Sequence, residues 1–401
     1  MKSLFGAMAE SKQLECPLEV YATQLAKEVA TQEAICQGPK EFPILDKDVR
    51  IRRVNRGNKS CPYHKFVGQN NVFEQLLPLL NEAWQSKHRT MSTNALMFTG
   101  PPSVGKTDVA KATARGLGVP FAMRNAAEIN SVAKVFELLE EVGEEAGSPL
   151  IHLGTEQGRE MYQAQPTVMF WDELPGLSKS MMRSLLNMFE AKDHTLSTNG
   201  AVIDVQHVLW IGATTELGSI RKRDRAFDSR WMKIEFESYT LDEVSQIVQL
   251  NHSDWTTEQC RTLAIRSGRV PRGAITMGGH VDAKLDYLQL NDANVTRMDA
   301  IVRLAEEKGI DEHGMSQHQL TLLRALGGRC PRGMTLDEMA QVINREVDEL
   351  KETVLPALRV NTVDHPACIA QPHRTHITRA GMDQLVLRNL MTEEEVEKLW
   401  S

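Results

Sequence analysis

Residues 100–107 read GPPSVGKT, which has the glycine, lysine and threonine spacing of a phosphate-binding loop. The octet follows the apolar run ALMFT (95–99) and precedes the helical stretch DVAKATARGL (108–117). Glycines allow backbone N–H groups to turn around phosphate oxygens, and the start of a helix adds positive potential. The loop therefore predicts a nucleotide site between a strand and a helix.

We assign separate roles to the side chains of this loop. Lys106 is predicted to reach the β- and γ-phosphates of ATP, and the Thr107 hydroxyl to bind Mg²⁺. The neighbouring Asp108 is placed in the same site. The loop residues expected to surround the phosphates are Gly100, Pro101, Pro102, Ser103, Val104 and Gly105.

Five short apolar runs alternate with helical stretches between residues 66 and 238. Continuous apolar runs separated by helices are typical of a parallel sheet that is buried on both faces. The region therefore predicts an α/β domain with helices on both faces of the sheet. The runs are ALMFT (95–99), VPFAM (119–123), TVMFW (167–171), HVLWIGA (207–213) and MKIEF (232–236).

An acidic pair, Asp172 and Glu173, follows the third run directly. Ligands bind at the carboxyl edge of such sheets, so Asp172 is a candidate for holding Mg²⁺ and Glu173 for orienting or deprotonating the attacking water. Alone, an acidic pair after a strand more often caps a helix, but the phosphate loop upstream favours the catalytic interpretation. Thr215, after the fourth run, is a candidate for contacting the γ-phosphate or the water, or is simply a strand end.

Composition limits the class of protein. The chain has 401 residues, 41% of them hydrophobic and 25% charged, which predicts a globular protein of two or three domains. Its net charge of −7 gives no global attraction to nucleic acid, so any such contact depends on local patches. The 6 cysteines contain no C-x-x-C pair, and no apolar run is long enough to cross a membrane. We expect a soluble, cytoplasmic protein with no membrane partner.

Three helix-like segments and a hairpin-like segment near the C-terminus predict a helix–turn–helix with a wing, which is a DNA-docking geometry. The third helix carries Asp348, Glu349 and Glu352, which suit the major groove poorly. Non-sequence-specific DNA contact is therefore assigned to the wing, with Arg374 and Arg379 near phosphates. Protein contact by this domain is the alternative.

The chain thus divides into six predicted segments. The segment 47–65 carries seven Lys/Arg and one acid, which favours a solvated linker over a phosphate-contacting arm. The segments are an N-terminal extension (1–46), a basic linker (47–65), a large ATPase domain (66–238), a helical lid (239–312), a winged helix (313–385) and a helical tail (386–401).

The order of the motifs resembles that of a known superfamily. GPPSVGKT, WDEL, IGATT, DSRW and RVPRGA are similar to the Walker A, Walker B, sensor 1, arginine finger and sensor 2 motifs of AAA+ ATPases. VLWIGATTELGSI, MTLDEMAQVINREVDELKETVLPALRV and HRTHITRAGMDQL resemble RuvB, the Holliday-junction branch-migration motor. The chain is identified as a divergent relative of this family.

The resemblance implies roles for further residues. Val67, in FVGQNNV, is implied to lie beside the adenine. Arg230 is implied to reach the nucleotide of a neighbouring subunit in a ring, with a hexamer as the expected form, since within its own nucleotide site it has little to pair with. Taken by itself, the residue would more often form a surface salt bridge, and that is the alternative. Arg272 is implied to touch the γ-phosphate, with Arg269 and Arg266 as nearby competitors.

The sequence also departs from the family pattern. Ser103 replaces a glycine of the phosphate loop, and residues 143–166 form an insertion before the acidic pair. The segment between NMFEAKD and IGATT is shorter than the hairpin by which RuvB grips its partner RuvA, which speaks against a RuvA-like adaptor. The extension (1–60) and the tail (386–401) have no counterpart.

Two functions remain open from the sequence. The first is a Mg²⁺-dependent ATP hydrolase that forms a ring and moves duplex or branched DNA during recombination and repair. The second is an ATP-driven switch or loader that remodels a protein partner and docks it on the winged helix. A kinase is disfavoured because it explains neither Glu173 nor the arginines that follow Thr215.

Overall fold

The structure, a computed structural model, describes residues 66–85, 95–190, 193–198, 200–215, 218–360, 362, 366–370 and 374–400. The predicted extension (1–46) and basic linker (47–65) lie outside the described residues and stay predictions. The chain forms two compact units. The first contains the chain up to Gly100 together with Gly105–Phe236, and the second contains Pro101–Val104 and Glu237–Ser401.

A five-stranded parallel sheet forms the centre of the first unit, as the apolar runs predict. Its strand order is β2-β5-β8-β1-β9. Every residue of β1 and β8 is buried, which explains why these runs lack polar alternation. The strands of this sheet are β1 (Ala95–Thr99), β2 (Phe121–Asn125), β5 (Thr167–Asp172), β8 (Val208–Thr214) and β9 (Met232–Glu235).

The α-helices in the described part of the first unit flank or connect these strands, and four of them, Val132–Glu145, Lys179–Ser184, Ser219–Arg223 and Arg225–Asp228, contribute apolar side chains to one core with the sheet. The core contains Trp171, Trp210 and Trp231, each at most 4% exposed. The helices are α1 (Asn70–Gln85), α2 (Lys106–Leu117), α3 (Val132–Glu145), α4 (Lys179–Ser184), α5 (Ser219–Arg223) and α6 (Arg225–Asp228).

A separate four-stranded sheet accounts for most of the predicted insertion. It is formed by two hairpins, one from residues 151–163 and one from residues 195–204, and its order is β3-β4-β7-β6. The parallel pairing of β4 with β7 joins the two hairpins. The strands are β3 (Ile151–Glu156), β4 (Arg159–Gln163), β6 (Thr195–Ser197) and β7 (Ala201–Asp204).

A group of helices opens the second unit and corresponds to the predicted lid. A capping box formed by Thr240 and Glu243 begins the first of these helices, and Thr256 and Thr296 cap two others in the same way. The helices are α7 (Leu241–Asn251), α8 (Thr257–Arg266), α9 (Pro271–Gln289) and α10 (Arg297–Glu307).

The predicted winged helix follows within the same unit. Its third helix contains a π-helical segment at Leu350–Val354, and the wing pairs Ile369 with Ile377 in antiparallel register. The wing tip at 371–373 lies outside the described residues. The elements are α11 (Gln317–Gly327), α12 (Leu336–Ile343), α13 (Val347–Glu349), α14 (Leu355–Arg359), β10 (Ile369–Ala370) and β11 (His376–Ile377).

Two further helices, α15 (Arg379–Leu387) and α16 (Glu393–Trp400), complete the core of the winged helix. Val396 is fully buried in that core, so the segment predicted as a tail packs on this domain. Within the described residues, no helix is long and apolar enough to cross a membrane.

Candidate functional site

The central sheet brings the predicted nucleotide motifs to one edge. Strand β8 lies between β1 and β5, with Thr99 opposite Thr214 and Trp171 opposite Gly212. The strands are parallel, so the residues that follow them leave the sheet on the same side. Gly100, Asp172 and Thr215 therefore begin the three loops that line this edge.

The backbone of the phosphate loop requires its glycines. Gly100 has a φ of +140°, and a Cβ built there would lie 2.4 Å from the carbonyl oxygen of Phe236. Gly105 has a φ of +92° and caps the N-terminus of α2 without a side-chain hydrogen bond. Only glycine fits at position 100, because other residues disfavour this positive φ and their Cβ would collide with the backbone of Phe236.

Lys106 begins α2, and its Nζ donates a hydrogen bond to the carbonyl oxygen of Gly100 at 2.8 Å. The bond holds the ammonium over the start of the loop. Thr107 is half-buried and Asp108 is exposed, both in the first turn of α2. A helix N-terminus with a lysine, a hydroxyl and glycine-lined backbone fits the triphosphate of ATP with its Mg²⁺.

Asp172 and Glu173 adopt the geometry of a strand end rather than of a helix cap. The Asp172 carboxylate accepts the N–H of Glu173 at 3.0 Å, which holds Asp172 at the tip of β5. Glu173 is exposed, has a φ of +51°, and makes no side-chain cap bond to the 3₁₀ turn Leu174–Gly176. The left-handed backbone of Glu173 changes the direction of its side chain at the point where the chain leaves the sheet.

Thr215 and Val67 occupy opposite environments. Thr214 is buried as the last residue of β8, whereas Thr215 is exposed in the bend that follows. Val67 is 5% exposed, within the core of the first unit just ahead of α1. The Asn71 amide donates to the carbonyl oxygen of Glu235, which ties the start of α1 to the end of β9.

Comparison with known proteins agrees with this geometry. Residues 96–238 match the model described as the ATPase family associated with various cellular activities (AAA). These residues form an AAA ATPase domain.

The likeness extends beyond the AAA domain. The Holliday junction branch migration complex subunit RuvB of Campylobacter hominis is 22% identical over 330 residues, covering 79% of this chain and 89% of that protein. RuvB of Sulfurimonas denitrificans is 26% identical over 312 residues, covering 75% and 83%. The solved structure of the Thermotoga maritima RuvB Holliday junction branch migration motor matches with a TM-score of 0.58 and 22% identity, covering 80% of this chain and 95% of that one. The chain thus carries an AAA ATPase domain and resembles RuvB in fold.

Arg230 of the AAA domain has partners within its own chain, among them a salt bridge to Glu190, as in the alternative interpretation of this residue. Its Nε donates to Glu190 Oε1 at 3.0 Å, its Nη2 also pairs with Glu190, and its Nη1 donates to the carbonyl oxygen of Ala226 at 2.7 Å. Phe189 causes this pairing, because its ring packs 4.8 Å from that of Trp231 and carries Glu190 to Arg230. A contact 40 residues apart in sequence leaves no local pattern.

The three lid arginines differ in their exposure and in their partners. Arg272 is exposed at the second residue of α9, directly after Pro271. Arg266 donates to the carbonyl oxygen of Ile310 at 3.4 Å. Burial lowers the pKa of Arg269, which has a φ of +60°. Of the three, Arg272 is the side chain best exposed to a ligand.

The predicted DNA contacts are tied to acids of the winged helix. Arg374 pairs with Glu338 and donates to the carbonyl oxygen of Gly333 at 3.3 Å, and Arg379 pairs with Asp383 at 3.2 Å. Arg332, an exposed residue in the loop before Met334, belongs to none of the sequence motifs. Because Met334 forms a β-bridge with Thr375, that loop lies beside the wing.

Proposed function

We propose that the chain is a RuvB-like ATP-dependent DNA motor. It forms a ring of six subunits and couples ATP hydrolysis to translocation on duplex DNA or to migration of branched junctions. One observation carries the proposal: the phosphate loop, the Asp172–Glu173 pair and the Thr215 bend begin at one edge of the AAA sheet. The RuvB relatives, which are named as subunits of a Holliday junction branch migration complex, support the choice of substrate.

At the proposed active site, ATP supplies the phosphoanhydride bond, and Mg²⁺ neutralises charge on its phosphates. The Lys106 ammonium binds the β- and γ-phosphates, exchanging its bond with the Gly100 carbonyl for bonds to phosphate oxygens. Thr107 and Asp172 hold the metal ion. Glu173 orients the attacking water and accepts its proton. Thr215 fixes the γ-phosphate or that water.

The neighbouring subunit completes each site in this proposal. The Arg230 guanidinium either breaks its salt bridge with Glu190 or keeps part of it, and it points toward the nucleotide bound by the next copy. A guanidinium delivered in this way stabilises the charge that spreads over the γ-phosphate oxygens in the transition state. Arg272 of the lid contacts the γ-phosphate and so distinguishes ATP from ADP.

DNA is bound through backbone phosphates by the wing and its neighbours in this proposal. Arg332 supplies an exposed guanidinium, and Arg374 and Arg379 join it by sharing their carboxylate partners with phosphate. Such contacts carry no base information, so binding is independent of sequence and sensitive to salt. The proposal includes no RuvA-like adaptor. The short hairpin that would have to bind such an adaptor already pairs with β4 along its strand β7.

The first test measures ATP hydrolysis with no DNA, with linear duplex and with a four-way junction. We expect stimulation by DNA that falls steeply between about 50 mM and about 200 mM salt. Glu173→Gln should bind ATP but lose roughly 10²–10⁴-fold in turnover, whereas Lys106→Ala should lose binding.

The winged helix is tested in the same assay with Arg332→Ala and Arg374→Ala. Each should weaken DNA stimulation and reduce the salt slope by about one unit, because each variant binds one DNA phosphate fewer. Arg303→Ala, an exposed lid arginine on α10, removes the same charge and should leave the DNA response unchanged. An equal decrease in all three variants would contradict the assigned surface.

A second function stays open because Arg374 and Arg379 are already engaged by acids. In it, the chain is an ATP-driven switch or loader, and the winged helix docks a protein. Hydrolysis that ignores both DNAs at low salt would contradict the motor and favour the switch.

A further inference from the structure

A tight turn links α8 to α9 and sets the position of Arg272. It contains two consecutive left-handed residues, Gly268 at φ +68° and Arg269 at φ +60°. The Gly268 N–H bonds to the carbonyl oxygen of Ile265 at 2.9 Å, and the Arg269 N–H to that of Ala264 at 3.0 Å. Because Pro271 begins α9 directly afterwards, the turn fixes where α9 starts and where Arg272 leaves it.

The winged helix packs directly on this turn. A Cβ built on Gly268 would lie 2.8 Å from the Cβ of Ala357, a residue of α14. The connector between the lid and the winged helix (residues 308–316) also packs on the turn, since a Cβ on Gly314 would lie 1.9 Å from the carbonyl oxygen of Ile265. Neither glycine has room for a side chain, and a movement of α14 toward the turn would therefore press on its backbone.

A buried arginine fixes the same junction. Arg388 is 9% exposed, pairs with Asp311 of the connector, and donates from Nη1 to the Gln384 side chain at 2.7 Å. Cys368 lies close by: burial raises its thiol pKa to about 11, while Arg388 and Arg269 act in the opposite direction. The Cys368 N–H also bonds to the carbonyl oxygen of Leu358, so the start of the wing, α14 and the turn share one packed region.

We infer that Ala357 positions Arg272 through the Gly268–Arg269 turn, so that a shift of the winged helix alters the contact between Arg272 and the γ-phosphate. The inference rests on the role of Arg272 in the proposed function. The winged helix then does more than hold a substrate: its ligand changes how tightly the subunit distinguishes ATP from ADP, and by linkage the nucleotide changes affinity at the winged helix.

The test compares the affinities of the full-length protein for a non-hydrolysable ATP analogue and for ADP. Ala357→Leu should displace the turn and weaken binding of the ATP analogue about 5–10-fold, with ADP affinity changed less than twofold. Ala357→Gly, which removes the Cβ facing Gly268, should shift the same ratio by a smaller factor and serves if the leucine variant does not fold. A variant that loses affinity for both nucleotides equally would overturn the inference.

The double mutant Arg272→Ala/Ala357→Leu separates the proposed role of Arg272 from the inferred effect of Ala357. If Ala357 acts through Arg272, the second substitution adds no further change to the ratio in the Arg272→Ala background. If Arg272→Ala itself leaves the ratio unchanged, its role in the proposed function is wrong. If Arg272→Ala changes the ratio but neither Ala357 variant does, only the present inference fails.

Discussion

Two residues of the nucleotide site have left-handed backbone without being glycine. Ser103 has a φ of +64° within the phosphate loop, and Glu173 a φ of +51° after β5. L-residues in this region carry a free-energy penalty of about 1–2 kcal/mol, which the surrounding structure must offset. At Glu173 the strained backbone accompanies an acid assigned to catalysis, whereas at Ser103 the side chain has no assigned role beyond the loop.

Ser103→Gly should therefore stabilise the protein. We expect the free energy of unfolding to rise by about 0.5–1 kcal/mol, because glycine adopts a positive φ without steric penalty. Thermal and denaturant unfolding measure the change. Ser103→Ala keeps the strain and should resemble the parent, whereas Ser103→Val should be less stable than both. Equal stability of all four proteins would show that the loop backbone is unstrained.

At the residue scale, sequence spacing predicts those site residues whose geometry depends on their neighbours along the chain. The phosphate loop and the Asp172–Glu173 pair each consist of neighbouring residues, so a short stretch of sequence contains the complete motif. The Arg230–Glu190 pair depends on how Phe189 packs against Trp231, and no local pattern encodes that packing. The same reason hides the contact of Gly268 with Ala357.

At the scale of elements, helix starts and buried strands were the most predictable features. Helix starts with the pattern Thr-x-x-Glu occur at Thr240, Thr335 and Thr392, and each threonine hydroxyl accepts a hydrogen bond from the backbone N–H three residues on. Strand β2 begins two residues later than the run VPFAM, because β5 determines which of its residues pair. The pairing of β4 with β7 was not predicted, since parallel partners need no sequence proximity.

The connector between the lid and the winged helix should be sensitive to acid. Burial raises the pKa of Asp311, but hydrogen bonds from Arg388 and from the N–H groups of Met315 and His313 outweigh it, so the pKa lies below its ordinary value. The ionised carboxylate stabilises the fold above the unfolded-state pKa of about 4. That contribution is lost as the pH falls through the lower pKa of the folded state.

Asp311→Asn tests this linkage. Removing one partner of a mostly buried pair should lower the free energy of unfolding by about 3 kcal/mol at neutral pH. Melting temperatures measured from pH 7 to pH 3 should converge at the acid end, where the parent loses the same interaction. Asp348→Asn removes an ion pair whose carboxylate is 91% exposed, and should change stability by less than about 0.5 kcal/mol. A constant gap across the pH range would contradict the assignment.

At the scale of the whole molecule, the sequence predicted the order of the AAA domain, lid and winged helix. The structure groups the last two into one compact unit and places α16 in the winged-helix core through Val396. Such grouping depends on long-range burial, which a boundary drawn from composition does not capture. The proposed ring adds a further level, because each active site then needs residues from two copies.

Subunit mixing tests that requirement. Glu173→Gln and Arg230→Ala proteins should each be nearly inactive, with the arginine variant reduced on the order of 10³-fold despite normal ATP binding. Mixed together, they should recover activity, since a Glu173→Gln subunit can supply Arg230 to an intact neighbouring site. A chain carrying both substitutions is the control and should give no recovery when mixed with Arg230→Ala. Full activity of isolated monomers would exclude the shared site.

The small sheet built from residues 151–163 and 195–204 has a consequence for how this chain can change. Strand β4 pairs with β3 on one side and with β7 on the other, so it is an interior strand of its sheet. Removing the 151–163 hairpin would leave β7 paired only with β6 and expose backbone amides and carbonyls along its other edge, which favours pairing with strands of other molecules. A shortened chain would therefore also need changes in β7 that protect this newly exposed edge.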